Sequence, residues 1–265
     1  MTRITRRYLD GRWGQVHVTH AGSGAPVLLL HQSPLSGTQF LPVLPLLAAA
    51  GFQAVALDTA GFGMSDPPPA PASIADHAEN VATVLDGLGW ASCAVVGHHT
   101  GAAIAASLAA VQPDRVSRLV LNGVPLFSPE ELAFFRSFQF GPLEPQPDGS
   151  HLAAAWAQRV KATPGWTDLE AMHRHVVAML AVHRRYHWGF LAALDHDVTP
   201  DLLAIRVPTL LFTNTGEDLY AATQRAHRLR PDFGYAELVG GTHDIIDEQP
   251  DAWAKGVIGF LRDRP

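Results

Sequence analysis

The sequence predicts an α/β fold: a mostly parallel central sheet flanked by helices, interrupted once by a mostly helical segment. Three observations carry this. Short apolar runs alternate with helical stretches through the first half of the chain. A glycine-bounded turn, Gly97-His98-His99-Thr100-Gly101, joins one such run directly to a helix. Strand signals then vanish from Pro125 to about Pro200 and resume afterwards.

Each element has its own signal. Pro26-Val27-Leu28-Leu29-Leu30 is a continuous apolar run, as expected of a strand buried on both faces. A helical stretch containing Leu41, Val43, Leu44, Leu46 and Leu47 follows and ends near Gly51. Ala54-Val55-Ala56-Leu57 reads as the next strand, and Asp58 to Asp66 as a loop closed by Pro67-Pro68-Pro69. Ser73, with Asp76 three residues on, opens a helix as a capping box, and Gly87 and Gly89 end it. Cys93-Ala94-Val95-Val96 leads into the glycine-bounded turn, and Val116-Ser117-Arg118-Leu119-Val120-Leu121 is a further strand. Beyond the helical segment, Thr209-Leu210-Leu211-Phe212 and Tyr235-Ala236-Glu237-Leu238-Val239 supply two more. Trp253, Val257, Phe260 and Leu261 mark one face of a closing amphipathic helix. The expected organisation is a core of residues 1–124 and 201–265 with a helical lid at 125–200.

Composition narrows the function. The chain has 265 residues, 47% of them hydrophobic, and a formal charge of −6. Lys and Arg total 19 and form no long run, so no nucleic-acid partner is expected. The arginine-rich start, Thr2-Arg3-Ile4-Thr5-Arg6-Arg7, leads into no long apolar stretch and does not read as a secretory signal. No segment approaches the ~20 apolar residues that span a bilayer, so no membrane role is expected, and a cytoplasmic protein is the default. A single cysteine, Cys93, excludes an intrachain disulfide and a multi-thiolate zinc site. It lies in a strand run and reads as inert core.

Reactive groups of an open parallel sheet gather beyond the carboxyl ends of its strands. Four such loops hold candidate residues. Gly97 to Gly101 has the outline of a nucleophile elbow, a strained strand-to-helix turn that raises its central side chain. That central residue is His99. In His31-Gln32-Ser33-Pro34, the Ser33 backbone N–H, with that of Thr100 after the elbow, is placed to hold an oxyanion. His31 and Gln32 become candidate substrate contacts. Thr213 to Asp218 offers an acid to orient an imidazole, with Asp218 the choice and Glu217 the reserve. Gly240-Gly241-Thr242-His243-Asp244 carries a histidine able to reach back over the elbow. Elbow, then acid, then histidine is the chain order this arrangement requires.

Together these motifs resemble the α/β-hydrolase fold superfamily over nearly the whole chain. The loop Asp58-x-x-Gly61-x-Gly63-x-Ser65 resembles one that follows the superfamily's fourth strand. Gly240-Gly241-Thr242-His243, with Glu248-Gln249-Pro250, resembles its C-terminal ending. The lid, inserted after the sixth strand, resembles that of epoxide hydrolases, dehalogenases and many esterases. The resemblance implies Asp218 and His243 as catalytic acid and base and a cofactor-independent enzyme. Two departures stand out. Gln32 replaces the glycine that usually follows the oxyanion-loop histidine. His99 replaces the Asp of epoxide hydrolases and dehalogenases and the Ser of esterases.

The chemistry expected of His99, Asp218 and His243 therefore has several forms. An imidazole attacks an activated ester to give an acyl-imidazole. Two imidazoles share a water for general-base hydrolysis. A histidine–acid pair removes a proton beside a carbonyl, as in a lyase, isomerase, decarboxylase or cofactor-free oxygenase. The site binds a small molecule without turnover. Hydrolysis of an ester, lactone or related bond in a small apolar substrate, aromatic ones included, leads this set. His98 reads as structural. His173, His175, His183, His187 and His196 crowd the lid, but His183-Arg184-Arg185-Tyr186-His187 lacks a metalloprotease glutamate, so no metal is expected. His187 and Trp188 are expected to line the pocket. The lid aromatics, Phe127 to Phe190, imply an apolar substrate.

Overall fold

The computed structural model describes residues 2–263. Eight strands form one sheet: β1 (Ile4–Gly11), β2 (Gly14–Ala21), β3 (Ala25–Leu30), β4 (Phe52–Leu57), β5 (Cys93–His98), β6 (Val116–Asn122), β7 (Thr209–Asn214) and β8 (Gly234–Leu238). Their spatial order is β1-β2-β4-β3-β5-β6-β7-β8. β1 and β2 pair antiparallel, β2 meets β4 antiparallel, and every pairing from β4 to β8 is parallel. β5, which ends in the elbow, lies between β3 and β6 in the middle of the sheet.

Burial on both faces explains the unbroken apolar runs. Leu28 and Leu30 pack into the core on one face with Val95 and Leu121. Val27 and Leu29 pack into the core on the other with Val96 and Val120. Each fully buried leucine contributes about 1.5–3 kcal/mol relative to exposure. Helices α2 (Ile74–Leu88) and α3 (Thr100–Val111) cover the first face; α1 (Leu44–Ala49) and α11 (Pro250–Arg262) cover the second.

The Ser73 cap forms as read: its side chain accepts from the Asp76 backbone, and Asp76 returns the bond. Such a cap contributes about 1 kcal/mol. Gly87 lies inside α2, whereas Gly89 ends it in the left-handed conformation at φ 71°. Of the helical stretch expected over Leu41 to Gly51, the structure forms α1, with a short 3-10 turn (Gly37–Phe40) ahead of it. The β1–β2 hairpin was not foreseen. The arginine-rich start is its edge strand, with Arg6 and Arg7 exposed, and Val16 and Val18 of β2 are its buried contribution.

Between β6 and β7 the described chain contains no strand and five helices: α4 (Pro129–Arg136), α5 (Ser150–Ala162), α6 (Leu169–Ala181), α7 (Trp188–Leu194) and α8 (Thr199–Ala204). A small core of its own, with Ala155, Val176, Met179, Val182 and Tyr186 around Phe62, seats this insertion on the loop after β4. Its six phenylalanines pack on each other: Phe140 and Phe190 stack at 4.5 Å, Phe127 tilts against Phe135, and Phe134 meets Phe135 and Phe138 edge-on. Two short helices complete the core, α9 (Tyr220–Leu229) and α10 (Ile245–Glu248). Among the described residues no helix is long and apolar enough to cross a membrane.

Candidate active site

The elbow forms where the sequence places it. His99 sits at φ 51°, ψ −109°, between β5 and α3. A non-glycine residue held there costs about 1–3 kcal/mol and persists only where its surroundings enforce it. Those surroundings are visible. Its N–H donates to the Asn122 carbonyl at the end of β6. Asn122 is itself held by the Trp253 indole N–H at 2.6 Å. A Cβ on Gly97 would lie 2.2 Å from the Gly101 carbonyl oxygen, and one on Gly101 2.1 Å from that of Leu30. Both glycines are therefore required for α3 to pack against β3 and β5.

His99 Nε2 lies 2.6 Å from Glu217 Oε2. A carboxylate only accepts, so Nε2 carries a proton, and the tautomer this contact selects has its lone pair on Nδ1. The Glu217 side chain is fully buried, and its other oxygen accepts from the Thr213 hydroxyl. Gly123 gives this pair its room: a Cβ there would lie 2.3 Å from His99 Cδ2 and 2.7 Å from Glu217 Oε2.

His243 faces the elbow, its ring centroid 6.4 Å from that of His99. Asp218 Oδ2 lies 3.2 Å from its Nδ1, so the expected Asp218–His243 pair is present. Its hydrogen bond with His243 lowers the Asp218 pKa, although 59% of that side chain is exposed. Each imidazole has its own acid: Asp218 stands at His243, the pairing expected from the sequence, and Glu217, the reserve choice of acid, stands at His99.

A further residue was missed altogether. Arg159, from α5, donates through Nη1 to His243 Nε2 at 3.0 Å and through Nη2 to His175 Nδ1 at 2.8 Å. It also pairs with fully buried Asp244 and lies over the Trp166 ring. His175 is fixed in turn by Asp247 at 2.8 Å. Burial, then the nearby Arg159 charge against the helpful Asp218, sets the His243 pKa below its usual value. Burial also brings the Arg159 pKa down to about 10. Nothing in the sequence marked Arg159; an arginine near the end of a helical segment is ordinary.

The remaining expected residues divide. The backbone N–H groups of Ser33 and Thr100 donate to no other described residue, as oxyanion donors require. The Ser33 hydroxyl itself packs against α7, where a Cβ on Gly189 would lie 1.8 Å from it. His31 and Gln32, expected as substrate contacts, are spent on the scaffold. His31 donates from Nδ1 to the Gln32 carbonyl and accepts at Nε2 from the Thr59 N–H. The Gln32 side chain donates to Asp244 at 2.9 Å. His187 and Trp188 are half-buried at the start of α7, beside the Ser33 contact. Cys93 is buried, which pushes its thiol up to about 12, as an inert core thiol requires.

His98, His99 and Glu217 offer atoms within 4.8 Å of one another, the geometry of a possible metal site. The hydrogen bonds argue against it. Gln39 Oε1 accepts from the Gln32 N–H, so its Nε2 donates to His98 Nδ1 at 2.6 Å. His98 therefore carries its proton on Nε2 and presents a donor, not a lone pair. That N–H is buried with no partner among the described residues. Burial, then the charges of His99 and His243, holds His98 well below the usual histidine range, consistent with a structural, neutral ring.

The chain belongs to the α/β hydrolase fold family, whose model matches residues 25–173. It is 38% identical over 122 residues to epoxide hydrolase 2 of Siraitia grosvenorii, covering 45% of this chain and 39% of that protein. It is 25% identical over 271 residues to 2-(acetamidomethylene)succinate hydrolase of Mesorhizobium japonicum, covering 97% of this chain and 95% of that one. A malate-bound thermophilic esterase from Thermogutta terrifontis superposes with a TM-score of 0.80 at 21% identity, covering 97% and 98% of the two chains. These similar proteins are named hydrolases.

Proposed function

We propose that the protein hydrolyses an ester, lactone or related acyl bond in a small, largely apolar substrate, with His99 as general base. The observation that carries this reading is the buried Glu217–His99 pair at a strained elbow. Glu217 holds the Nε2 proton and leaves the Nδ1 lone pair for chemistry. Nδ1 is the ring nitrogen nearer the backbone, which crowds direct attack on an acyl carbon and favours a water between them. His99 takes a proton from that water, and the resulting imidazolium pairs with Glu217. The hydroxide adds to the carbonyl carbon, and the oxyanion lies against the Thr100 and Ser33 N–H groups. Collapse breaks the bond to the leaving oxygen, which takes its proton back from His99. His243, oriented by Asp218, faces His99 across the elbow with its Nε2 accepting from Arg159. The helical insertion of residues 125–200 acts as the lid over a core of residues 1–124 and 201–265.

A panel of activated aryl and acyl esters tests this. Turnover is expected, with His99→Ala and His243→Ala each lowering kcat/KM by about 10²–10⁴-fold. No burst of product is expected, since no acyl-enzyme accumulates. A trapped acyl group on His99 would replace the water mechanism by a covalent one, and absence of turnover across the panel would end the hydrolytic reading. One observation favours a second reading: the elbow carries no Ser, Cys or Asp. The same base beside the same oxyanion donors suits proton removal next to a carbonyl. Deuterium exchange into a bound ketone, lost in His99→Ala, is its measurement.

A further inference from the structure

The two N–H groups proposed to hold the oxyanion come from separate segments. Ser33 lies in the loop after β3, and Thr100 opens α3. Such donors act only where both lie about 2.7–3.1 Å from the place the oxyanion will take, so their separation must be fixed. The β3–β5 ladder that keeps the two segments in register ends at Leu30 and Gly97. Past that point one side chain reaches from one segment to the other. Gln39 Oε1 accepts from the Gln32 N–H at 3.0 Å, and Gln39 Nε2 donates to His98 Nδ1 at 2.6 Å. Gln32 directly precedes Ser33, and His98 directly precedes His99 and Thr100. Among the described residues no other side chain is hydrogen-bonded to both segments.

Both ends of this bridge are chemically matched. A backbone N–H only donates, so the amide oxygen faces Gln32 and the amide nitrogen faces His98. Gln32, Gln39 and His98 are all buried, so water does not compete for either bond. The Gln32 carbonyl also accepts from the Leu35 N–H and from His31 Nδ1, which closes a turn around Ser33. A shift of Gln32 therefore carries the Ser33 N–H with it.

The footing of Gln39 is rigid as well. It stands in the Gly37–Phe40 turn, whose Gly37 N–H donates to the Asp58 carboxylate at 2.7 Å. The Gln39 N–H donates to the Ser36 carbonyl at 3.0 Å. Phe40 packs on Trp253 at 6.2 Å between centroids, and that indole holds Asn122, whose carbonyl accepts from the His99 N–H. We propose that Gln39 is a positioning residue of the oxyanion site, a strut that fixes the distance between the Ser33 and Thr100 N–H groups. This rests on the hydrolytic reading of the His99 site; Gln39 itself touches no substrate.

Two variants test the strut. Gln39→Met keeps the length and loses both bonds. Gln39→Asn keeps the amide but is one methylene too short to span its partners. On an activated aryl ester, Gln39→Met should lower kcat by about 10- to 100-fold, short of the 10²–10³ lost with a whole oxyanion donor. KM should change by less than about 3-fold, because the oxyanion exists only in the transition state. A phosphonate monoester, a tetrahedral anion that mimics the oxyanion, should lose affinity by a similar factor as kcat. The matched carboxamide, a planar neutral mimic of the ester, should bind as before. Gln39→Asn should show the same pattern, with thermal melts reporting the folding of both variants. A measurement on the wild type needs no variant. The His98 Nδ1 signal in ¹⁵N NMR should be that of a hydrogen-bonded lone pair, with and without the phosphonate. A protonated Nδ1, an unchanged kcat in the folded variants, or equal losses for phosphonate and carboxamide overturns the proposal while wild-type hydrolysis stands. No turnover of any ester by the wild type removes the hydrolytic reading itself, and this role with it.

Discussion

At the scale of single residues, the two acids that follow β7 are neighbours in sequence but opposites in environment. Glu217 is fully buried against His99, whereas Asp218 is largely exposed against His243. Exposed ion pairs are screened by water and contribute little; buried charge-assisted hydrogen bonds contribute more. Glu217→Gln is therefore expected to lower kcat/KM by about 100-fold or more, because it removes the negative charge that stabilises the His99 imidazolium formed during the reaction. Asp218→Asn should cost clearly less. Steady-state kinetics of the two variants on one ester checks the order, and a larger loss from Asp218→Asn would return the leading role to the His243 pair. The identity of His99 as the odd residue of the elbow was legible in the sequence. Its partner was not, because Glu217 and Asp218 satisfy the same spacing rule and only the direction each side chain takes out of the turn separates them.

At the scale of elements, most boundaries were readable because their causes are local. Apolar runs gave β3 to β8, the Ser73 box opened α2, and Gly89 closed it. The β1–β2 hairpin escaped because its outer strand is mostly polar and half-exposed, with the buried side chains concentrated on β2. The contact between α7 and the loop after β3 is tertiary and carries a prediction. Gly189 lets the helix backbone approach Ser33, and an added Cβ would overlap the Ser33 hydroxyl. Gly189→Ala should destabilise the protein by about 1–3 kcal/mol through overpacking. It should also reduce activity, since the displaced loop carries the Ser33 N–H, one of the two proposed oxyanion donors. Urea unfolding with parallel kinetics measures both, and an unchanged midpoint would mean that the insertion gives way freely.

At the scale of the whole molecule, buried neutral histidines link stability to pH. Burial, assisted by the charge of His31, lowers His77 from the ordinary histidine value near 6.5 to about 4. Burial lowers His31 in the same direction. The unfolded chain binds protons at these positions that the folded chain refuses. Stability is therefore fully present above about pH 6.5 and is lost as pH falls towards 4. For His77 the drop to about 4 corresponds to roughly 3 kcal/mol. Thermal melts should fall across that window, and His77→Gln should flatten the slope. A melting temperature independent of pH between 6.5 and 4 would contradict this account.

The sequence alone determined the architecture, the elbow, the imidazole at its tip and the order of acid and histidine after it. These follow from periodicity, glycine positions and chain order, which act over a few residues. The tertiary structure decided which acid serves which ring and brought in Arg159. His99 and Glu217 are 118 residues apart, and Arg159 and His243 are 84 apart. Such pairings depend on how the insertion seats on the sheet, and that is set by the packing of side chains from several elements at once.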